Sequence, residues 1–260
     1  MTTMFYPFGK PVLPREPAKG DHPRCFVLGA YPSALHARWT SPDGKTTIGA
    51  IPIDNEPEPF WEGLDTGERI DAWKASVDFK EEHGNVTSPG TNGSSGRGLT
   101  QQYLEPLGLH REDCWITDCL DTYFMSVDGE KALTAKFPGS WRLESHPSER
   151  QIIDRAIQDH ISRLRTELRE ASPEFVITLG EAANQVFGIT VGAEAPPKLI
   201  RTDYGVSRTV THHGNEFAWV PLCHPGLIAK NTAWAAAHES WVSERQAVSR
   251  ATTDGGTGLS

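Results

Sequence analysis

The sequence predicts an α/β fold built on a central, mainly parallel four-stranded sheet covered by helices on both faces. Two observations carry this. Four short apolar or β-branched runs are each bounded by turn residues, and helical patterns fall between them. The strand runs are RCFVLG (24–29), CWITD (114–118), EFVITLG (174–180) and FAWVPLC (217–223). GRGLTQQYLEPLGL, a helical pattern, precedes the second. PSERQIIDRAIQDHISRLRTELREASP precedes the third, with Ile152, Ile153, Ala156, Ile157, Ile161, Leu164 and Leu168 as its apolar stripe and Ser148 as its N-cap. GEAANQVFG follows the third strand, and NTAWAAAHESWVSERQAV closes the series. Parallel neighbours are reached only by crossovers, so strands alternating with helices require such a sheet. ERIDAWKASVDFKEEHG (68–84) reads as an additional helix and TSPGTNGSSG (87–96) as a flexible connector.

At 260 residues the chain has the length of one ordinary domain, and 37% hydrophobic with 23% charged residues is a soluble composition. No apolar run approaches the roughly 18 residues of a membrane span, and MTTMFYPFGK lacks a signal-peptide core, so the expectation is a cytoplasmic protein. Residues 1–23, rich in proline, read as an extended lead-in, 24–250 as the domain, and 251–260 as a flexible tail.

Cys25, Cys114, Cys119 and Cys223 show neither CxxC pairing nor zinc-like spacing and read as buried reduced thiols. GEAANQ has one glycine where a dinucleotide site needs GxGxxG, and no GxxxxGK[ST] occurs. No metal or cofactor is expected. A formal charge of −9 argues against an indiscriminate nucleic-acid coat. It leaves room for a local basic face, since Arg163, Arg165, Arg169, Lys198, Arg201, Arg208 and Lys230 gather in the second half.

HPRCFVLGAYPSALHARW (22–39) poses the functional question. Its apolar strand ends at Gly29 and delivers Ala30, Tyr31, Pro32 and Ser33 to the sheet edge where open α/β sheets bind ligands. The turn carries no carboxylate, amide or lysine.

GSSGRGLTQQYLEPLGLHREDCWITDCLDTY (93–123) resembles the Gly-rich helix and strand of the uracil-DNA glycosylase superfamily, and its iron–sulfur class in particular. Four further pieces follow that order: GAYPS resembles the first motif (GxxPG and its variants), PEPFWEG (57–63) the PFxG element, PEFVITLGEAANQVF the strand–Gly–helix unit, and VPLCHPGLI the HPS motif. The resemblance spans about residues 24–240 and implies a three-layer α/β/α sandwich. Three departures stand out. The cysteines that hold the cluster in that class are absent; residues 64–92 form an insertion; and Ala30 and Tyr31 occupy the positions where relatives carry Gln-Asp, Asn or Glu.

The resemblance implies roles residue by residue. His224, otherwise a turn histidine, donates to the carbonyl oxygen of the departing base, as an oxyanion hole does. Asp118, otherwise a strand-end cap, faces the base edge where the iron–sulfur class has Asn. As an anion it only accepts hydrogen bonds, which suits a cytosine-type amine better than the O4 of uracil. Asp121, alternatively a solvated loop acid, holds the water. Gly29, Ala30, Tyr31, Pro32 and Ser33 floor the base pocket, and Phe60, alternatively a core residue, stacks on the base. Gly96, Arg97, Leu227, Ile228 and Lys230 meet DNA, one of the two apolar residues wedging into the duplex. His36 and Arg38 are further phosphate candidates.

The expected function is a monofunctional DNA N-glycosylase: a monomer that flips a damaged or modified base, uracil-like or a modified cytosine, from single- or double-stranded DNA and hydrolyses its N-glycosidic bond. Repair is the default setting, with defence against phage DNA carrying modified cytosines as a speculation. Two alternatives stay open. One is a catalytically silent protein of this fold that binds modified or abasic DNA; the other is an enzyme acting on free nucleosides or nucleotides.

Overall fold

Apolar runs buried on both faces become the inner strands of a parallel sheet, and that sheet organises the larger part of the chain. The structure is a computed structural model describing residues 3–193 and 198–254, the side chains of 246–254 apart. In chain order its strands are β1 (Ala18–Lys19), β2 (Cys25–Gly29), β3 (Ala34–Thr40), β4 (Thr47–Asn55), β5 (Asn85–Thr87), β6 (Cys114–Asp118), β7 (Phe175–Leu179), β8 (Arg208–His212) and β9 (Asn215–Leu222). The α-helices are α1 (Thr66–Ser76), α2 (Ser94–Leu99), α3 (Val127–Lys136), α4 (Glu149–Arg155), α5 (Ile161–Ala171), α6 (Glu181–Val191), α7 (Pro225–Ile228) and α8 (Thr232–Asp254). Two interleaved units result. One comprises the segment ending at Glu16, Tyr31–Ser94 and Asp121–Ser148; the other comprises Pro17–Ala30, Ser95–Leu120 and the described residues from Glu149 onward.

The second unit holds a six-stranded sheet of order β1-β6-β2-β7-β9-β8. Its inner four strands run parallel and correspond to the four apolar runs of the sequence. The four-stranded expectation is thereby corrected to six, because β1 and β8 add antiparallel edges. Both edges escape a hydrophobic reading: β1 is two residues long, and β8 (RTVTH) alternates half-buried with exposed positions. The expected long helix is α4 and α5 joined through a π turn at Ala156–His160, starting just after Ser148. It buries Leu164, Leu168 and Ala171, with Glu167 on the same face. A second π turn, Thr100–Leu104, continues α2. Helix α8 extends to Asp254, and most of the tail expected from 251 lies outside the described residues.

In the first unit β4, β3 and β5 form a three-stranded antiparallel sheet that the sequence reading did not anticipate. Its core includes Tyr6, Trp39, Ile51, Ile53, Ile70 and Trp73. The start of the chain is therefore held, not simply extended: the Tyr6 side chain is wholly buried and Phe5 bridges Pro11 and Arg142. Residues 64–92 supply α1 and edge strand β5, so the helix expected over 68–84 stops at Ser76, two residues before Asp78 enters the left-handed region at φ 49°. The connector read as flexible is pinned by Asn92. Its amide accepts from the His36 N–H at 3.0 Å and donates to the His36 carbonyl at 2.8 Å, replacing a missing strand partner.

Candidate functional site at the carboxyl edge of the parallel sheet

Four parallel strands ending together bring their last residues to one edge. Gly29 stands opposite Asp118 in register, and the pairing runs on as Cys119 N–H donates to the Gly29 carbonyl and Leu120 N–H to the Ala30 carbonyl, both at 3.0 Å. Across the sheet Gly180 N–H donates to the Leu222 carbonyl at 2.8 Å, two residues before His224. Gly180 has φ 97°, and a Cβ there would touch the His224 Cβ at 3.9 Å.

His224 is half-buried and caps α7, its Nδ1 accepting from the Gly226 N–H at 3.1 Å. Burial, helped by the positive charge of Lys230, pushes the ring's pKa down to about 4. At neutral pH the imidazole is uncharged, and with Nδ1 accepting, its proton sits on Nε2. His224 is thus a neutral N–H donor.

Asp118 is 4% exposed, and neither carboxyl oxygen has a hydrogen-bond partner among the described residues. The two Nη groups of the adjacent cation are committed elsewhere, while its Nε has no partner among the described residues. Arg163 Nη1 donates to Thr117 Oγ1 at 3.1 Å and to Glu167 Oε1 at 2.7 Å; Nη2 donates to the carbonyls of Asp118 at 2.7 Å and Cys119 at 3.1 Å. Burial raises the Asp118 pKa to about 7 against the opposing pull of Arg163, and Glu167 raises it further. The fixed anion expected from the sequence is instead a carboxyl divided between acid and anion near neutrality.

Arg163 and Glu167 are contributors that the sequence reading missed. The signal was available for Glu167, which falls on the apolar face defined by Leu164, Leu168 and Ala171. Arg163, read as part of a basic face, serves the strand end. Arg165 donates to the Thr190 carbonyl and Arg208 pairs with Asp203, so that face is smaller than the sequence suggests.

The remaining expected residues divide by unit. Gly29, Ala30, Asp118, Gly96, Arg97, His224, Leu227, Ile228 and Lys230 share the parallel-sheet unit. Leu227 is 40% exposed and Lys230 exposed, whereas Gly96 is buried and Arg97 half-buried. A Cβ on Gly98 would meet the Pro225 Cβ at 2.9 Å, so the Gly-rich helix packs on the HPG turn.

Tyr31, Pro32, Ser33, Phe60 and Asp121 belong to the other unit. There the Tyr31 hydroxyl is hydrogen-bonded to His146 Nδ1 at 3.1 Å, and its ring meets Phe124 edge-on. The buried Glu56 carboxylate accepts from Ser33 N–H at 2.6 Å. Phe60 is 7% exposed and held at φ 55°, a left-handed conformation that costs a non-glycine residue about 1 kcal/mol. The Asp121 carbonyl accepts from Arg15 N–H. His36 is no cationic phosphate contact, because burial lowers its pKa to about 4.

All four cysteines are buried and unbridged, and among the described residues no group of three or more His, Cys, Asp or Glu could hold a metal ion. No described helix is long and apolar enough to cross a membrane. Compared with models of known protein families and with curated proteins, the chain matches none.

Proposed function

We propose that the protein is a DNA N-glycosylase on a three-layer uracil-DNA glycosylase-like sandwich, acting as a cytoplasmic monomer on a base flipped out of DNA. The observations that support it best lie at the ends of β6 and β9, two strands of one parallel sheet: a buried carboxyl whose oxygens have no donor among the described residues, and a neutral histidine carrying an Nε2 proton. Carboxyl ends of open parallel sheets are where such folds bind ligands.

In the proposed reaction the C1′–N bond breaks, its electron pair leaves with the base, water supplies the oxygen of the new C1′–OH, and the water's other proton ends on the released base. The His224 N–H stabilises the charge developing on the base carbonyl, and Asp118 engages the edge of the ring. One such donor is worth about 10²–10³ in rate. The test is abasic-site yield from oligonucleotides carrying a panel of deaminated and modified bases. Release of one base by the wild type, lost in His224→Ala, supports the reading.

A second reading is a silent protein that binds modified or abasic DNA. It is favoured by the turn itself, where Gly29 and Ala30 bring no polar side chain and the Tyr31 hydroxyl is bonded to His146. Base-dependent binding with no abasic product at any base would select it.

A further inference from the structure

We propose that Tyr103, Tyr204 and His238 form a buried hydrogen-bonded brace that positions His224 by holding the peptide in front of it. The inference goes beyond the reading above and rests on it only for what His224 does to a base. Its grounds begin where the sheet stops. Strand β9 ends at Leu222, whose carbonyl accepts from the Gly180 N–H, so Cys223 lies past the end of the strand and is wholly buried. Buried backbone groups need partners, and here side chains supply them. The Tyr103 hydroxyl donates to the Cys223 carbonyl at 2.6 Å. That carbonyl belongs to the planar peptide unit that also holds the His224 N and Cα, so fixing it fixes where the histidine starts.

The brace closes on its far side. Tyr103 and Gln102 belong to the π turn at Thr100–Leu104, and His238 Nε2 of α8 lies 3.0 Å from the Gln102 carbonyl. A carbonyl only accepts, so the ring proton is on Nε2, and Nδ1 accepts from the Tyr204 hydroxyl at 2.6 Å. The Tyr204 hydroxyl in turn lies against the Cys223 backbone and the Tyr103 hydroxyl. Burial lowers the His238 pKa against the pull of the Gln102 carbonyl and of Glu239, which keeps the ring in this neutral form at pH 7. Packing adds to the hydrogen bonds. The Tyr103 and His238 rings meet with centroids 4.6 Å apart, and Trp241 Cδ1 leaves no room for a Cβ on Gly205, so the Tyr204 segment sits hard against α8. Three segments thus converge on the one residue before His224. A buried polar network whose members are all satisfied holds a single arrangement, where apolar side chains of the same volume are free to slide.

The experiment uses the full chain. It compares Tyr103→Phe and Tyr204→Phe, each losing a hydroxyl and keeping the ring, with Leu168→Ala, a core truncation outside the brace. Nitrogen–proton NMR reads the His224 ring and the Gly226 amide from which its Nδ1 accepts, and base-release kinetics on oligonucleotides are measured in parallel. Both phenylalanine variants should shift these signals and lower kcat about tenfold with KM unchanged, the mark of a displaced group and not of lost binding. Leu168→Ala should lower the unfolding midpoint and move neither. Unmoved His224 and Gly226 signals in folded Tyr103→Phe, or signals that move while kcat stays at the wild-type value, overturn the inference. Hydrogen exchange on the wild type needs no variant to fold: the Cys223 amide should exchange as slowly as the amides inside β9, and exchange as fast as in the surface turns overturns the brace. The two proposals fail separately. A wild type that releases no base sinks the catalytic reading alone, because the NMR and exchange measurements still decide the brace. Base release by both phenylalanine variants at the wild-type rate, with His224 signals unmoved, sinks this inference alone.

Discussion

Gly98 of α2 and Pro225, the first residue of α7, are packed so closely that a Cβ on the glycine would lie 2.9 Å from the proline Cβ. Two segments 127 residues apart in sequence, the GRG and HPG motifs, are therefore a single packing arrangement. His224 immediately precedes that proline, so the helix at Gly98 helps to set where the imidazole lies.

Gly98→Ala tests this relationship. The new methyl must push the Pro225 ring aside, and overpacking of this kind costs about 1–3 kcal/mol. Denaturant unfolding should register that loss, and base release should fall further than stability alone explains, by about tenfold, as His224 shifts. A variant with unchanged stability and unchanged activity would show that the contact is loose.

His224→Ala should keep the fold and lower base release by about 10²-fold or more, the usual cost of one preorganised donor. His224→Gln, which retains an N–H donor at the end of its side chain, should recover part of the loss. The ring's low pKa adds a second expectation: proton NMR should find it neutral down to about pH 5. An imidazole titrating near 6.5 would remove the basis for its neutral role.

Acid should weaken the first unit through His36. Its ring is neutral in the fold, with a pKa lowered to about 4 by burial, while the unfolded chain binds the proton at the ordinary value. Below that ordinary value the unfolded state holds more protons, so stability is lost as pH falls from about 6.5 toward 4, on the order of 2 kcal/mol by pH 4.5. His36→Gln carries no such linkage. Comparing its unfolding free energy with that of the wild type at pH 7 and 4.5 isolates the effect; a difference that does not change between the two pH values would contradict it.

The parts of the fold that could be read from sequence are those in which one signal dominates. The inner strands of the parallel sheet are continuous apolar runs because both their faces are covered, and all five residues of β2 and of β6 are buried. The antiparallel sheet was hidden for the opposite reason. Strand β3 interleaves buried Ala37 and Trp39 with half-buried His36 and exposed Arg38, and β4 carries Pro52, which its edge position tolerates. At the candidate site the residue types Asp118 and His224 were visible, but their charge states were not. Those depend on burial and on how Arg163 is spent, which no spacing along the chain records.

Asp118 should make stability fall as pH rises, the reverse of the usual carboxylate. The unfolded chain loses this proton near pH 4, whereas burial holds it in the fold to about 7. Between those values the native state binds more protons than the unfolded state, so the contribution is full below about pH 4 and lost as pH climbs through 7. Keeping the anion buried costs on the order of 4 kcal/mol, at about 1.4 kcal/mol for each unit by which the fold holds the proton longer. Asp118→Asn replaces the carboxyl with a neutral group of the same shape that never ionises. Its amide still needs partners, so the variant should be no more stable than the wild type at pH 5, where Asp118 is itself neutral. By pH 8.5 the wild type carries the full anion penalty and the variant none, and the difference between their unfolding free energies should have moved in the variant's favour by about 1–3 kcal/mol. Thermal or denaturant unfolding of both proteins across that range measures it. Parallel curves would mean that Asp118 ionises freely in the fold.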